Sequence, residues 1–446
     1  MAKTLFLELD HEIDWGLAAV GPAYLAAYLR QHGHPATFLR VPVTMTAAEV
    51  LCAVKEQQPQ IIGLSLTSRQ WMRARELVPY LKEHLDIPVI AGGLQPTFSS
   101  DVVLNTPGFD YVCIGEGEQA MLEFVDCIEQ GLPVQGVKNI RGRADAMPPL
   151  NPPFEPIDQL PFMARDMLGE RYGVVHVSTQ RGCPYPCSYC AAPTIASLYD
   201  GGYVNYGRRR SVENVLAELD EIRRQGDLNY VVFLDDTFTI NHAWLHDFCP
   251  RYAKWLGIPF SINARAETIT PDLLALLAQA GCKHIVYGVE SGSERVRRDI
   301  LKRKIPNEQL VKVFRWTRDA GIMVTANYML GIPGERPDDI EQTLALHDEL
   351  QPFDFGYFVY YPFPGTDLFR VCEQNGYLPE NYADLAANHR QSILKLPDLS
   401  PDQISVYYQR FTELRARDQT QRLSGDADQE IRADVVRGVE QFALRA

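Results

Sequence analysis

The 446 residues contain no apolar run that approaches the 18 or so residues a membrane span needs. No secretory leader opens the chain either, since Met1-Ala-Lys-Thr runs straight into Leu5-Phe6-Leu7-Glu8-Leu9; the expected compartment is the cytoplasm. Positive charge is in deficit: 43 Lys and Arg face 57 Asp and Glu, a formal net charge of −14. Such a surface repels phosphate backbones, so no nucleic-acid partner is expected, although Arg208, Arg209 and Arg210 form a local basic patch. Cysteine is sparse and odd in number, at nine, with six scattered; a disulfide scaffold is excluded, and the three clustered cysteines suggest metal in a reducing compartment. There is no internal repeat and no low-complexity tract. What is present is ordinary globular composition, 46% apolar and 22% charged, in a chain long enough for two or three domains.

Residues 1–145 alternate strand and helix patterns. Strands are expected at Thr4–Leu9, Ala36–Val41, Ile61–Ser65, Pro88–Ala91 and Tyr111–Ile114, with helices at Ala18–Gln31, Ala47–Glu56 and Gln70–His84. Alternation of this kind predicts an α/β fold with a doubly wound parallel sheet. A proline-rich linker spans 146–170. Alternation resumes over 171–375, with strands expected at Val174–Thr179, Tyr230–Leu234, Phe260–Asn263, His284–Gly288, Met323–Met329 and Gly356–Tyr361 and helices such as Ser211–Gln225 and Pro271–Ala280. Six βα units predict a partial (β/α)6 barrel, with chemistry at the C-terminal strand ends. The remainder, 376–446, is polar and is expected to form a C-terminal helical region.

Directly after the first barrel strand lies Arg181-Gly-Cys-Pro-Tyr-Pro-Cys-Ser-Tyr-Cys190, which spaces Cys183, Cys187 and Cys190 as C-x3-C-x2-C. Thiolates suit zinc or iron–sulfur. A structural zinc wants a fourth close ligand, and the next cysteine is Cys249. A 4Fe–4S cluster on three cysteines leaves one iron open to a small bidentate ligand.

This loop resembles the signature of the radical S-adenosylmethionine superfamily. The resemblance implies that the open iron binds the amino and carboxylate groups of S-adenosylmethionine, and that one electron cleaves it to methionine and a 5′-deoxyadenosyl radical. It places Tyr189 near the adenine. Leu234-Asp-Asp-Thr-Phe238 ends the second barrel strand, where the family keeps a polar motif for the methionine amino group, here Asp235 and Asp236; helix capping is the plainer role for such carboxylates. Arg265, at the end of the third, is suited to the methionine carboxylate. Glu290 and Ser291, at the end of the fourth, suit ribose or amino contacts. Gly331 and Gly334, in Gly331-Ile-Pro-Gly-Glu335 after the fifth, let the backbone approach the adenine.

The N-terminal segments Ile61–Thr67, Ala91-Gly-Gly93 and Cys113-Ile-Gly-Glu-Gly-Glu118 resemble a cobalamin-binding domain. That family binds at the C-terminal edge of its sheet. The resemblance implies that Ser65, Thr67, Gly92 and Gly93 make room for the nucleotide tail, with Gly115 and Glu116 beside it. Many such domains carry Asp-x-His-x-x-Gly with a cobalt-ligating His. Here the stretch is Asp10-His-Glu-Ile-Asp-Trp-Gly16, and its spacing departs from the pattern. His11 is therefore not expected to ligate cobalt; Arg69 or Trp71 is expected near an unligated lower face. A degenerate domain that no longer binds cobalamin is the alternative.

Together these resemblances imply a 4Fe–4S cluster, S-adenosylmethionine and cobalamin, with an external electron donor such as flavodoxin or ferredoxin. The implied activity is methylation of an unactivated carbon in a small-molecule substrate. The alternative is a non-methylating dehydratase, cyclase or ring-rearranging enzyme. RNA methylthiolation and a non-enzymatic sensor fit less well: no RNA-binding module is present, and a sensor needs no S-adenosylmethionine pocket.

Overall fold

The structure, a computed structural model, describes residues 1–10, 19–199 and 207–423. His11 lies outside them.

Strand β1 (Thr4–Leu9) is buried along its whole length, as a central strand covered on both faces must be. It pairs in parallel with β2 (Ala36–Val41) on one side and β3 (Ile61–Ser65) on the other, in register Thr4 with Ala36 and with Ile61. Beyond β3 lie β4 (Val89–Gly92), β5 (Tyr111–Cys113) and β6 (Ile140–Gly142), giving the order β2-β1-β3-β4-β5-β6. This is the doubly wound sheet expected, and the chain reverses direction across it between β1 and β3. Strand β6 was not expected: three residues carry too little pattern to read, and its antiparallel pairing with β5 is a tertiary event.

Local chemistry starts the helices. Thr46 and Glu49 form a reciprocal capping box ahead of helix Ala47–Gln57. Helices Val20–Gln31 and Glu118–Gln130 cover one face of the sheet, in the core that holds Phe6, Ala23, Leu29 and Phe124. Helix Ser68–His84 covers the other, beside Leu5, Leu7 and Trp71.

The proline-rich stretch is packed, not a free spacer. Met163, Met167 and Leu168 are buried in the first of those cores, and Ile157 and Leu160 pack on Tyr28. Six prolines stiffen a strap whose apolar residues still find a core.

The second domain has the strands β7 (Val174–Val177), β8 (Gln180–Arg181), β9 (Arg208–Arg209), β10 (Tyr230–Phe233), β11 (Phe260–Ala264), β12 (Cys282–Glu290), β13 (Met323–Leu330) and β14 (Asp354–Val359). Six form a parallel sheet in the order β14-β13-β12-β11-β10-β7. Sequence order equal to spatial order, with right-handed crossovers, places the helices on one side and curls the sheet into a partial barrel. The small hairpin β8–β9 stands apart and carries the chain into the cysteine loop.

The C-terminal expectation needs correction. Residues 376–400 are irregular apart from one short turn at Tyr382–Asp384, and the helix begins only at Pro401. Helix Pro401–Leu423 is not a bystander. It buries Ile404 and Phe411, and Phe411 stacks on Tyr357 of β14 with ring centroids 5.7 Å apart. A sequence window averages its polar outer face with these few anchors, so the packing is hard to see from pattern alone.

Candidate functional site

Three devices hold the cysteine loop. At its start, Asp235 accepts the backbone N–H groups of Thr179 (2.7 Å) and Gln180 (3.1 Å) and the Thr179 hydroxyl. In its middle, the Ser188 hydroxyl donates to the Ile300 carbonyl at 2.6 Å, and the Ser188 carbonyl accepts from the Leu368 N–H. At its end, Cys190 is the N-cap of helix Ala191–Ala196, its Sγ accepting from the Ala192 N–H at 3.4 Å. Cys183 and Cys187 are buried and Cys190 is half-buried. Burial, with Asp236 and the other two thiols nearby, pushes the Cys190 thiol up to about 12, a state that bound iron reverses.

Among the described residues, no three His, Cys, Asp or Glu side chains gather closely enough to share one ion. The three thiols lie near enough to feel one another's charge, and soft thiols suit an iron–sulfur cluster.

A buried charge network surrounds this loop. Arg265 donates to Cys187 Sγ at 3.0 Å and to Glu267 at 2.5 Å, and its guanidinium lies 3.9 Å from the Tyr185 ring centre. Tyr189 donates to Glu290 Oε1 at 2.9 Å, and Arg303 reaches the same oxygen at 2.9 Å and Glu267 at 3.6 Å. Glu290 has φ of 69°, uncommon for a residue with a side chain, beside a register shift between β12 and β13. Burial raises its carboxyl, opposed by Arg303. Strain held by a network at a strand end is a mark of function. Arg303 is the residue that sequence reasoning missed: it follows a short π-helical turn, Val296–Ile300, so no strand-end pattern announces it. Its Nε and Nη2, the Arg265 Nε and the Glu267 Oε2 are buried without a hydrogen-bond partner. Arg303 Nη2 and Glu267 Oε2 face each other as the 3.6 Å ion pair, which leaves the Nε groups of Arg303 and Arg265 as buried donors that are costly unless a ligand meets them.

Several expected residues have other work. Both oxygens of Asp235 are engaged by Thr179 and Gln180, so it ties β10 to β7; Asp236 is the carboxylate near the thiols. Ser291 is fully buried under helix Pro337–Leu350, where its hydroxyl accepts from the Ser293 N–H and lies 3.5 Å from the Thr343 hydroxyl. Gly331, at φ 73°, donates its N–H to Glu335, and a Cβ there would lie 2.9 Å from Ile404. Gly334 takes φ of 82° and accepts from Arg295. Both glycines are thus explained by turn geometry and packing.

In the first domain a cavity of about 270 Å³ lies between the sheet and helices Val20–Gln31 and Glu118–Gln130. Ser65, Gly92, Gly93 and Gly115 all line it, as expected, together with Gly21 and Gly63. A Cβ on Gly92 would meet only Cys113, at 3.7 Å, so the glycine leaves usable space. Such a cradle fits an inserted cofactor tail. Thr67 does not line it; its side chain and N–H bond Gln70 in a cap of helix Ser68–His84. Trp71 packs in the core against Phe109 and lines neither this cavity nor the one described next. Glu116 lines the cavity but is ion-paired to Arg208, 3.1 Å for the longer contact. Arg69 faces a second cavity, also about 270 Å³, which it shares with Tyr189, Glu290, Asn327, Phe358 and Phe363 of the barrel.

This architecture, a doubly wound domain with a glycine-lined tail cavity joined to a partial barrel with three thiols at its mouth, defines a class. Residues 177–347 match the radical SAM superfamily and residues 17–125 the B12 binding domain: the chain is a radical SAM enzyme with a B12-binding domain ahead of its barrel. Its cofactors are a 4Fe–4S cluster, S-adenosylmethionine and cobalamin. An uncharacterized methyltransferase of Pyrococcus horikoshii is 26% identical over 86% of this chain and 85% of its own. The anaerobic magnesium-protoporphyrin IX monomethyl ester cyclase of Rubrivivax gelatinosus is 27% identical over 78% of this chain and 65% of its own. Among solved structures, the radical S-adenosylmethionine methyltransferase TsrM from Kitasatospora setae, with cobalamin and a [4Fe–4S] cluster bound, superposes with a TM-score of 0.70. The match is 17% identical and covers 84% of this chain and 76% of that one, a likeness of fold.

Proposed function

We propose that this enzyme methylates an unactivated carbon of a small molecule held between its two domains. The observation that carries the reading is the second cavity, walled at once by Arg69 of the cobalamin domain and by Tyr189 and Glu290 of the barrel. A molecule there touches both halves of the machinery. When bound, the cluster and S-adenosylmethionine supply a hydrogen-abstracting radical, and cobalamin supplies a transferable methyl group.

The chain's own residues bind and orient. The Nε groups of Arg303 and Arg265, buried without a hydrogen-bond partner, suit the carboxylate of the methionine moiety, and Asp236 and Glu267 suit its ammonium. Tyr189 and Arg303 fix the Glu290 carboxylate, which faces the cavity. Phe358, Tyr361 and Phe363 give the substrate an apolar wall that excludes water from a reactive centre. An external one-electron donor of the flavodoxin or ferredoxin kind completes the set. Among the described residues, no helix is long and apolar enough to cross a membrane.

The test is a product count. Reconstituted protein, given reductant, S-adenosylmethionine, cobalamin and candidate substrates, should release 5′-deoxyadenosine and S-adenosylhomocysteine in equal amounts with methylated product. Resemblance to the cyclase favours a second reading, ring formation without methyl transfer. Altered substrate with deoxyadenosine but no matching S-adenosylhomocysteine selects that reading and overturns the first.

A further inference from the structure

The loop of residues 115–118 lines the cobalamin cavity, yet its carboxylates hold the barrel. Glu118 accepts from Arg181 Nη2 at 2.6 Å, and Arg181 stands two residues before Cys183. The same guanidinium lies 4.8 Å from the ring centre of Tyr24. Tyr24 belongs to helix Val20–Gln31 and Glu118 opens helix Glu118–Gln130, the two helices that wall the cavity. Arg181 therefore touches both walls and is itself part of the lining.

The exit from the cysteine loop is anchored at the same place. The Tyr199 hydroxyl accepts the Glu116 N–H at 2.9 Å, and Tyr199 follows the helix that Cys190 caps. Arg208, the register partner of Arg181 in the β8–β9 hairpin, pairs with Glu116 and also donates to the Phe154 carbonyl at 2.7 Å. Glu118 and Arg208 are buried, and Arg181 and Glu116 nearly so. Ion pairs in such a place are little screened by salt, and separating the partners is costly. These contacts tie the two helices to both ends of the cysteine loop.

We propose that Arg181 and Tyr199 are positioning residues that couple occupancy of the cobalamin cavity to the geometry of the cysteine loop, so that cobalamin and S-adenosylmethionine strengthen each other's binding. Linkage requires the effect to be reciprocal. The inference rests on the cofactors and not on methyl transfer, and it is read from binding alone, so a non-methylating enzyme leaves it standing.

The experiment uses full-length protein carrying an oxidised cluster. The dissociation constant of S-adenosylmethionine is measured by equilibrium dialysis with and without hydroxocobalamin. The electron paramagnetic resonance spectrum of the reduced cluster is recorded with and without hydroxocobalamin, in the absence of S-adenosylmethionine. In wild type, hydroxocobalamin should tighten S-adenosylmethionine by about fivefold or more and shift the spectrum. Arg181→Met should bring the coupling factor near one and leave the spectrum indifferent to cobalamin at saturating hydroxocobalamin, whatever its affinity for cobalamin alone. Arg181→Lys, which can keep the pair with Glu118, should recover part of the coupling. Tyr199→Phe removes one hydroxyl and should lower the factor at unchanged iron content; it decides alone should Arg181→Met fail to load iron. Equal affinity with and without hydroxocobalamin in wild type overturns the proposal. So does an undiminished factor in both Arg181→Met and Tyr199→Phe.

Discussion

The cavity of the first domain is walled by Gly21, Gly63, Ser65, Gly92, Gly93 and Gly115, whereas the mouth of the barrel is built from Arg265, Glu267, Glu290 and Arg303. The first site makes room by leaving out side chains. The second crowds charged side chains together in a place that water scarcely reaches. The difference matches the guests proposed for the two sites. A bulky cofactor tail is recognised by shape, and any added methylene competes with it for volume. The amino-acid end of S-adenosylmethionine carries charges of both signs and needs fixed counter-charges, which must themselves be paired to survive burial. One site should therefore fail by overpacking and the other by orphaned charge.

The largest expected effect lies where the two designs do not overlap. Cys183→Ala, Cys187→Ala or Cys190→Ala should lower iron from about four per chain to near none and abolish release of 5′-deoxyadenosine. Cys52→Ala, at an exposed position, should change neither. Cys113 is not a neutral control, because it lines the cobalamin cavity. Iron analysis on anaerobically reconstituted protein gives the answer, and full cleavage activity in all three loop variants would falsify the cluster assignment.

Next comes the charged site. Arg303→Met leaves the Glu290 and Glu267 carboxylates buried beside one cation fewer. Unfolding by urea should show a loss of about 3–5 kcal/mol, the cost of breaking a buried pair from one side. S-adenosylmethionine binding should fall with it, while cobalamin still binds. Stability within 1 kcal/mol of wild type, by the same rough scale, means the network is not a mutually dependent unit.

The glycine site should behave in the opposite way. Gly92→Leu points its side chain into open cavity, so cobalamin uptake, followed by visible absorbance, should be lost at unchanged iron content. Gly93→Ala tests strain instead: at φ of 92° its Cβ would lie 2.8 Å from the Leu66 carbonyl, and a loss of about 1–3 kcal/mol is expected. If Gly92→Leu binds cobalamin normally, the tail does not enter this cavity.

The smallest effect separates a helix cap from a cofactor contact. Thr67→Ala removes the hydroxyl that bonds Gln70 and should cost about 1 kcal/mol in chemical denaturation without altering cobalamin affinity. Weakened cobalamin binding at unchanged stability would restore Thr67 to the cofactor site.

Much of this molecule could be read in one dimension. Ala36–Val41 and Ile61–Ser65 form the strands expected residue for residue, and Pro271–Ala280 the expected helix, because period, caps and punctuation act within a few residues of chain. The cysteine loop is legible for the same reason: its three cysteines lie within eight residues, and their spacing is itself the signal. The glycines of the cobalamin cavity stood out because a glycine at a strand end is meaningful alone.

Only the tertiary structure decided the rest. The two aspartates at 235 and 236 are equivalent in sequence, yet one ties β7 to β10 and the other stands near the thiols. Ser291 and Thr67 were chosen as ligand contacts by type and position, but each hydroxyl had a nearer partner in the chain. Arg303 lies 36 residues from Glu267, and Arg181 lies 63 from Glu118, so neither pairing leaves a trace in local pattern. Sequence by itself determined most of the elements and the α/β fold class, since short-range sterics and hydrogen bonds govern them. Which polar groups were left over for a cofactor was settled by folding, since a side chain serves a ligand only after the protein's own buried donors and acceptors have been satisfied.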